Sequence, residues 1–154
     1  MEVGACGNLG ICCHSLGDFK KAIQYRELQL KVSREDGNRV EEGNAYCGLG
    51  NGYLSIGDLQ KAIHYHELYL EVSKQMGNRE GEASAYNNLG SDYHILGDFK
   101  KAINYHELCL KIAHELGDKA EQGRAYGNLG CDYQSLGDYK KAIYYHERHL
   151  EIAK

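Results

Sequence analysis

The 154-residue sequence predicts an all-α fold made of four copies of one helix pair. Three observations carry that prediction. The octapeptide LGDFKKAI stands at 16–23 and again at 96–103, with IGDLQKAI at 56–63 and LGDYKKAI at 136–143, a step of 40 residues. Within each copy, apolar and small residues recur at helical spacing. Between the runs, Gly-Asp or Gly-Asn dipeptides fall at fixed offsets. A catalytic motif is rarely needed four times at even spacing in one small domain, whereas a packing unit is.

The copies divide the chain into repeats at approximately 1–37, 38–77, 78–117 and 118–154. In the third repeat the first helix is marked by Ala85, Tyr86, Leu89, Gly90, Tyr93 and Leu96, which form one stripe by i+3, i+4 and i+7 steps. The second helix carries a wider stripe: Ala102, Ile103, Tyr105, Leu108, Leu110, Ile112, Ala113 and Leu116. A wide stripe suits a helix packed on both its partner and the next repeat.

Gly97 can take the left-handed conformation that closes the first helix, and Asp98 can cap the free N–H groups of the second. Gly17-Asp18, Gly57-Asp58 and Gly137-Asp138 repeat the device. Gly37-Asn38, Gly77-Asn78 and Gly117-Asp118 do the same at the other junction. Asn38 with Glu41, and Asp118 with Glu121, have the spacing of a capping box; the third repeat has Gly81 there. Gly10, Gly50, Gly90 and Gly130 fall inside the first helices, each at a cost of about 1 kcal/mol relative to Ala. Close approach of a neighbouring helix is the expected compensation.

Hydrophobic residues make up 42% of the chain and charged residues 26%, an ordinary soluble balance. The net charge of −4 argues against binding nucleic acid or anionic membrane, both of which need a basic face. No apolar run is long enough to span a membrane, and the opening MEVGACGNLG lacks the regions of a signal peptide. The expected location is therefore cytoplasmic. The six cysteines include no CxxC pair, so reduced thiols are expected. Cys6 and Cys13 replace tyrosines of the other copies and read as smaller core residues.

Tyr86, Leu89-Gly90, Tyr93, Gly97-Asp98-Phe99 and Ala102 resemble the tetratricopeptide repeat pattern of aromatic, Leu-Gly, Tyr, Gly-Asp-aromatic and Ala. All four copies agree, over essentially the whole chain. The common form has a period of roughly 34 residues and a Pro after the second helix; here the step is 40 and Pro is absent. The longer form is similar to the Pins-type modulators with Leu-Gly-Asn repeats, a tripeptide present as Leu49-Gly50-Asn51. No GoLoco-like segment accompanies it, so Gα binding is not carried over.

The resemblance implies an α-solenoid: antiparallel helix pairs stacked into a right-handed superhelix, with first helices lining a concave groove that binds peptides. The implied groove positions are Asn8 in repeat one; Asn44 and Asn51 in repeat two; Ser84, Asn87, Asn88, Ser91 and His94 in repeat three; and Arg124, Asn128, Cys131 and Gln134 in repeat four. Gly4, Gly7, Ile11, His14, Cys47, Gly48, Leu54 and Gly127 fill the intervening positions. Asn8, Asn88 and Asn128 are implied holders of peptide backbone, with Gly48 interrupting the series. Arg124, the one cation of the set, suits an acidic partner residue. The scarcity of cations disfavours a clamp for a terminal carboxylate.

His66, His106 and His146 recur with the period, and Arg26 takes their place in the first copy. Recurrence favours packing or inter-helix hydrogen bonding over metal binding, which needs more ligands than one helical face supplies. No phosphate loop, nucleophile elbow or paired-carboxylate motif is present. The sequence therefore predicts a protein-binding scaffold with no catalytic site, metal or cofactor. The final apolar stripe, with Ile143, Leu150 and Ile152, has no following cap. Membership of a longer array, or self-association through exposed terminal helices, is expected on that ground.

Overall fold

A computed structural model describes residues 2–153; Met1 and Lys154, the outer limits of the first and last repeats, lie outside the described residues. Eight α-helices account for nearly all of the described chain: α1 (Val3–Ser15), α2 (Phe19–Glu35), α3 (Arg39–Ser55), α4 (Leu59–Gln75), α5 (Arg79–Leu96), α6 (Phe99–Leu116), α7 (Lys119–Leu136) and α8 (Tyr139–Ala153). They form two compact units, one running to Asn78 and the other from Arg79. In the first unit α1 packs on α2, α2 on α3 and α3 on α4, and α1 also meets α3. The second unit has the same order, α5 to α8, with α5 meeting α7.

The turns are built as the dipeptides predict. Gly97 has φ of +91°, and its equivalents from Gly17 to Gly137 are likewise left-handed. Asp18, Asp58, Asp98 and Asp138 each accept the backbone N–H three residues on, at 3.2 Å. Asn38 and Asp118 cap α3 and α7 by the same contact, at 3.2 and 3.1 Å. The capping box is only half formed. The N–H of Asn38 already donates to Ser33 O at 2.8 Å, and that of Asp118 to Ala113 O at 3.0 Å. The helix C-cap has taken the donor that the box glutamate would accept. Glu41 and Glu121 turn instead to neighbouring helices, as described below.

Each core layer centres on one fully buried leucine, Leu49, Leu89 or Leu129. Each such burial stabilises by about 1.5–3 kcal/mol. Beside it lies a tyrosine trio. Tyr65 stands between Tyr46 and Tyr53, with ring centroids 6.2 and 5.6 Å away. Tyr105 stands likewise between Tyr86 and Tyr93 (6.0 and 5.6 Å), and Tyr145 between Tyr126 and Tyr133 (6.2 and 5.5 Å). Lys61, Lys101 and Lys141 cover the outer faces of Tyr53, Tyr93 and Tyr133 at 4.8–5.1 Å. The first repeat has Cys6 and Cys13 where a trio would need tyrosines, and Cys6 is fully buried.

Three stripe assignments differ from the sequence reading. Leu108 and Leu116 are exposed, and so is Leu96. The innermost line of α6 runs Ala102, His106, Cys109 and Ala113. Its small and polar side chains let the helices approach closely, which displaces the bulky leucines outward.

Candidate functional site

The mid-helix glycines and the periodic histidines belong to one arrangement. A Cβ on Gly50, Gly90 or Gly130 would overlap the ring of His66, His106 or His146 respectively. The imidazole of each second helix thus lies against the backbone of its own first helix. His66 and His106 are buried, so the recurrent histidine is a packing and inter-helix hydrogen-bonding residue. In repeat two, His66 Nε2 meets Asn51 Oδ1 at 3.2 Å.

In the second unit the histidine reaches further. His106 Nδ1 lies 2.5 Å from Asp132 Oδ2, and His94 Nδ1 lies 2.8 Å from Asp132 Oδ1. Asp132 is fully buried and therefore takes both oxygens' hydrogen bonds from rings on α5 and α6. Sequence reasoning passed over Asp132 and the equally buried Asp92. The available signal was their place on the apolar stripe, three residues after Leu129 and Leu89.

The first repeat solves the same position differently. Arg26 replaces the histidine and fills the space over Gly48, where a Cβ would strike the guanidinium, and it also lies against Gly10. Arg26 Nη1 donates to Gln29 Oε1 at 2.9 Å, and Gln29 Nε2 donates to Glu41 Oε2 at 2.7 Å. The absence of Asn at position 48 is thus coupled to Arg26. Burial lowers the pKa of this guanidinium, opposed by Cys47 and Glu41.

These features form the floors of clefts. In the first unit, Asn8 and Ile11 of α1 and Asn44, Cys47 and Asn51 of α3 line one cleft of about 430 Å³, with Arg26, Gln29, Glu41 and Tyr69 below. His14 lines an adjoining cleft and its Nε2 lies 3.0 Å from Ser55 Oγ. In the second unit, Arg124, Gly127, Asn128 and Cys131 border a cleft of about 690 Å³ with His146, His149 and Ile152 of α8. Asn128 and Cys131 also border a smaller cleft of about 240 Å³, shared with Ser91, His94, Ile95, His106 and Asp132.

Other predicted positions sit apart. Ser84 lines a separate cleft with Glu80 and Glu121. Asn87 and Asn88 are half-buried; Asn87 Oδ1 accepts from Asn128 Nδ2 at 2.7 Å. Gln134 is exposed and borders none of these clefts. Arg124 is exposed and ion-paired with Glu121 at 2.6 Å within its own helix. The other oxygen of Glu121 accepts from Cys109 Sγ at 3.2 Å. Burial, and then Glu121, push the Cys109 thiol pKa up.

The chain matches the tetratricopeptide repeat family model over residues 5–75 and 81–154. It belongs to the tetratricopeptide repeat family. Its fold is that of the solenoid-forming repeats. The structure of BtubC (BKLC) from P. vanneervenii is similar at 28% identity and a TM-score of 0.91, with 98% of this chain and 63% of that one covered. The apo form of RapI is similar at 18% identity and a TM-score of 0.92, with 98% and 55% covered. A Rap protein complexed with Competence and Sporulation Factor gives 20% identity and a TM-score of 0.89, with 99% and 44% covered. The chain thus spans less than two thirds of each of these proteins. Comparison with curated protein sequences gave no match. Tetratricopeptide repeats serve as protein–protein interaction scaffolds, and these helix pairs have that architecture. Among the described residues, no helix is long and apolar enough to cross a membrane.

Proposed function

We propose that the chain binds a peptide segment of a partner protein along the clefts lined by its first helices. The observation that carries this is the cleft of the first unit, where groove positions from α1 and α3 converge over a hydrogen-bonded polar floor. Asn8 and Asn44 on its walls each carry a donor and an acceptor suited to peptide backbone, beside Asn51, whose oxygen meets His66. The similar Rap protein solved with Competence and Sporulation Factor supports a binding role. Selection from a random peptide library tests the reading, with each selected peptide titrated against wild type, Asn8→Ala/Asn44→Ala and Arg124→Glu/Asn128→Ala. Circular dichroism first establishes that the variants are helical. Loss of binding by a folded variant is the expected result. Equal affinity of all three proteins would overturn it.

A second reading rests on α8, where Ile143, Tyr144 and Leu150 are each more than half exposed. That apolar face suits packing against another helix pair, in a longer array or a second copy. Concentration-dependent mass in solution, absent from Ile143→Lys/Leu150→Lys, is its test.

A further inference from the structure

The 240 Å³ cleft of the second unit has a feature that its counterparts lack. The ring of His106 is 2% exposed, and its Nε2 is buried with no hydrogen-bond partner. Its Nδ1 is committed to Asp132. A carboxylate only accepts, so each histidine ring facing Asp132 donates from Nδ1. In the ring that carries one proton, Nε2 of His106 is then a buried acceptor without a donor. Such groups are uncommon in folded proteins and cost free energy unless something completes them.

Repeat two shows where that nitrogen points. His66 Nε2 lies 3.2 Å from Asn51 Oδ1, on a terminal amide that presents its N–H instead after a half-turn. The position equivalent to Asn51 is Ser91, whose shorter side chain lines the cleft and makes no such bond. The missing internal partner leaves an unsatisfied acceptor beneath the cleft that Ser91 lines.

We propose that this cleft receives the ammonium of a lysine side chain from the bound segment. The inference rests on the peptide-binding reading above and names one residue class for one subsite. An ammonium has only donors, so it suits a floor that presents His106 Nε2 and the hydroxyl of Ser91. Asn128 gives one amide N–H to Asn87, which fixes the side chain, and its carbonyl oxygen can accept. Asp132 supplies the negative charge, and no lysine or arginine lines the cleft to oppose it. Ile95, 60% exposed at the rim, offers apolar surface to the aliphatic stem.

The test is an NMR titration of histidine-labelled protein with Nα-acetyl-lysine methylamide, beside its norleucine counterpart, which lacks the ammonium. The lysine probe is expected to shift the His106 ring signals saturably, with the norleucine probe about tenfold weaker or more. Ser91→Asn rebuilds the internal partner of repeat two, keeps the fold, and is expected to weaken the lysine probe by a similar factor. Ser91→Ala removes the hydroxyl acceptor without filling the cleft, and is expected to weaken the lysine probe by less than Ser91→Asn does. Equal response to both probes, an unmoved His106, or a Ser91→Asn variant that binds like wild type would each overturn the proposal. The probe is a free amino-acid derivative, so its failure leaves the peptide-selection result standing, and a failed selection leaves the His106 titration readable.

Discussion

The ring of His106 lies against the backbone of Gly90, so closely that a single methyl group on that glycine would overlap it. The pairing recurs as Gly50 with His66 and Gly130 with His146. It explains why a residue that weakens a helix stands in the middle of α3, α5 and α7. The helix-propensity cost of about 1 kcal/mol is offset by a contact that no other residue permits.

Gly90→Ala is expected to destabilise by about 1–2 kcal/mol, because overpacking against a buried ring outweighs the gain in helix propensity. At Gly10 the neighbour is the flexible Arg26, and the nearest atom is 3.0 Å from the added carbon. Gly10→Ala should therefore change stability by less than about 0.5 kcal/mol. Urea unfolding of both variants checks the contrast. In the double variant Gly90→Ala/His106→Ala the two changes should couple, with the alanine at 90 no longer harmful.

Tyr105 bridges two tyrosines that are themselves buried, Tyr86 and Tyr93. Tyr105→Ala is expected to cost about 2–4 kcal/mol. Tyr25 holds the equivalent place in α2, where Cys6 and Cys13 replace the flanking rings. Tyr25→Ala should cost roughly half as much or less. Denaturant midpoints at constant m-value would decide it; equal losses would show that the trios contribute nothing beyond simple burial.

Burial, and then Glu107, push the Tyr133 phenol from 10.0 up to about 12, and burial raises Tyr46, Tyr53, Tyr126 and Tyr145 as well. A raised folded-state pKa on an acid means that folding favours its neutral form. The associated stability is present in full below pH 10 and falls as pH rises toward about 12. Tyrosinate absorbance should therefore rise in two stages. The later stage should coincide with loss of helical circular dichroism. A single stage centred on the ordinary tyrosine value, with helicity unchanged, would count against the buried trios.

The cysteines should separate by reactivity. Cys12 and Cys131 are exposed, while Cys6 and Cys109 are buried. The raised Cys109 thiol presents little thiolate when folded. Alkylation followed by mass spectrometry should mark Cys12 and Cys131 first, with Cys6 and Cys109 modified only on unfolding. Early modification of Cys109 would contradict its packing against Glu121.

Much of this was legible in the chain itself. The 40-residue step, the stripe through Leu89 and Tyr93, and the Gly-Asp turns fix eight helices, because each signal is local and repeated. The capping aspartates could be named because the contact spans three residues, as at Asp98 and Lys101. The capping box at Asn38 misled because a second local motif competes for the same N–H. Several groove positions do gather, as Asn8, Asn44 and Asn51 show, while Ser84 and Gln134 stand apart from the main clefts.

The sequence by itself determined the helices, their ends and the family, since hydrophobic period and turn chemistry act within a few residues. Only the tertiary structure decided that His106 rests on Gly90, that Asp132 is clamped by His94 and His106, and that Arg26 reaches past Gly10 to lie over Gly48. Those residues lie on different helices. Which polar side chain meets which is set by how closely the backbones approach, a distance that no spacing along the chain encodes.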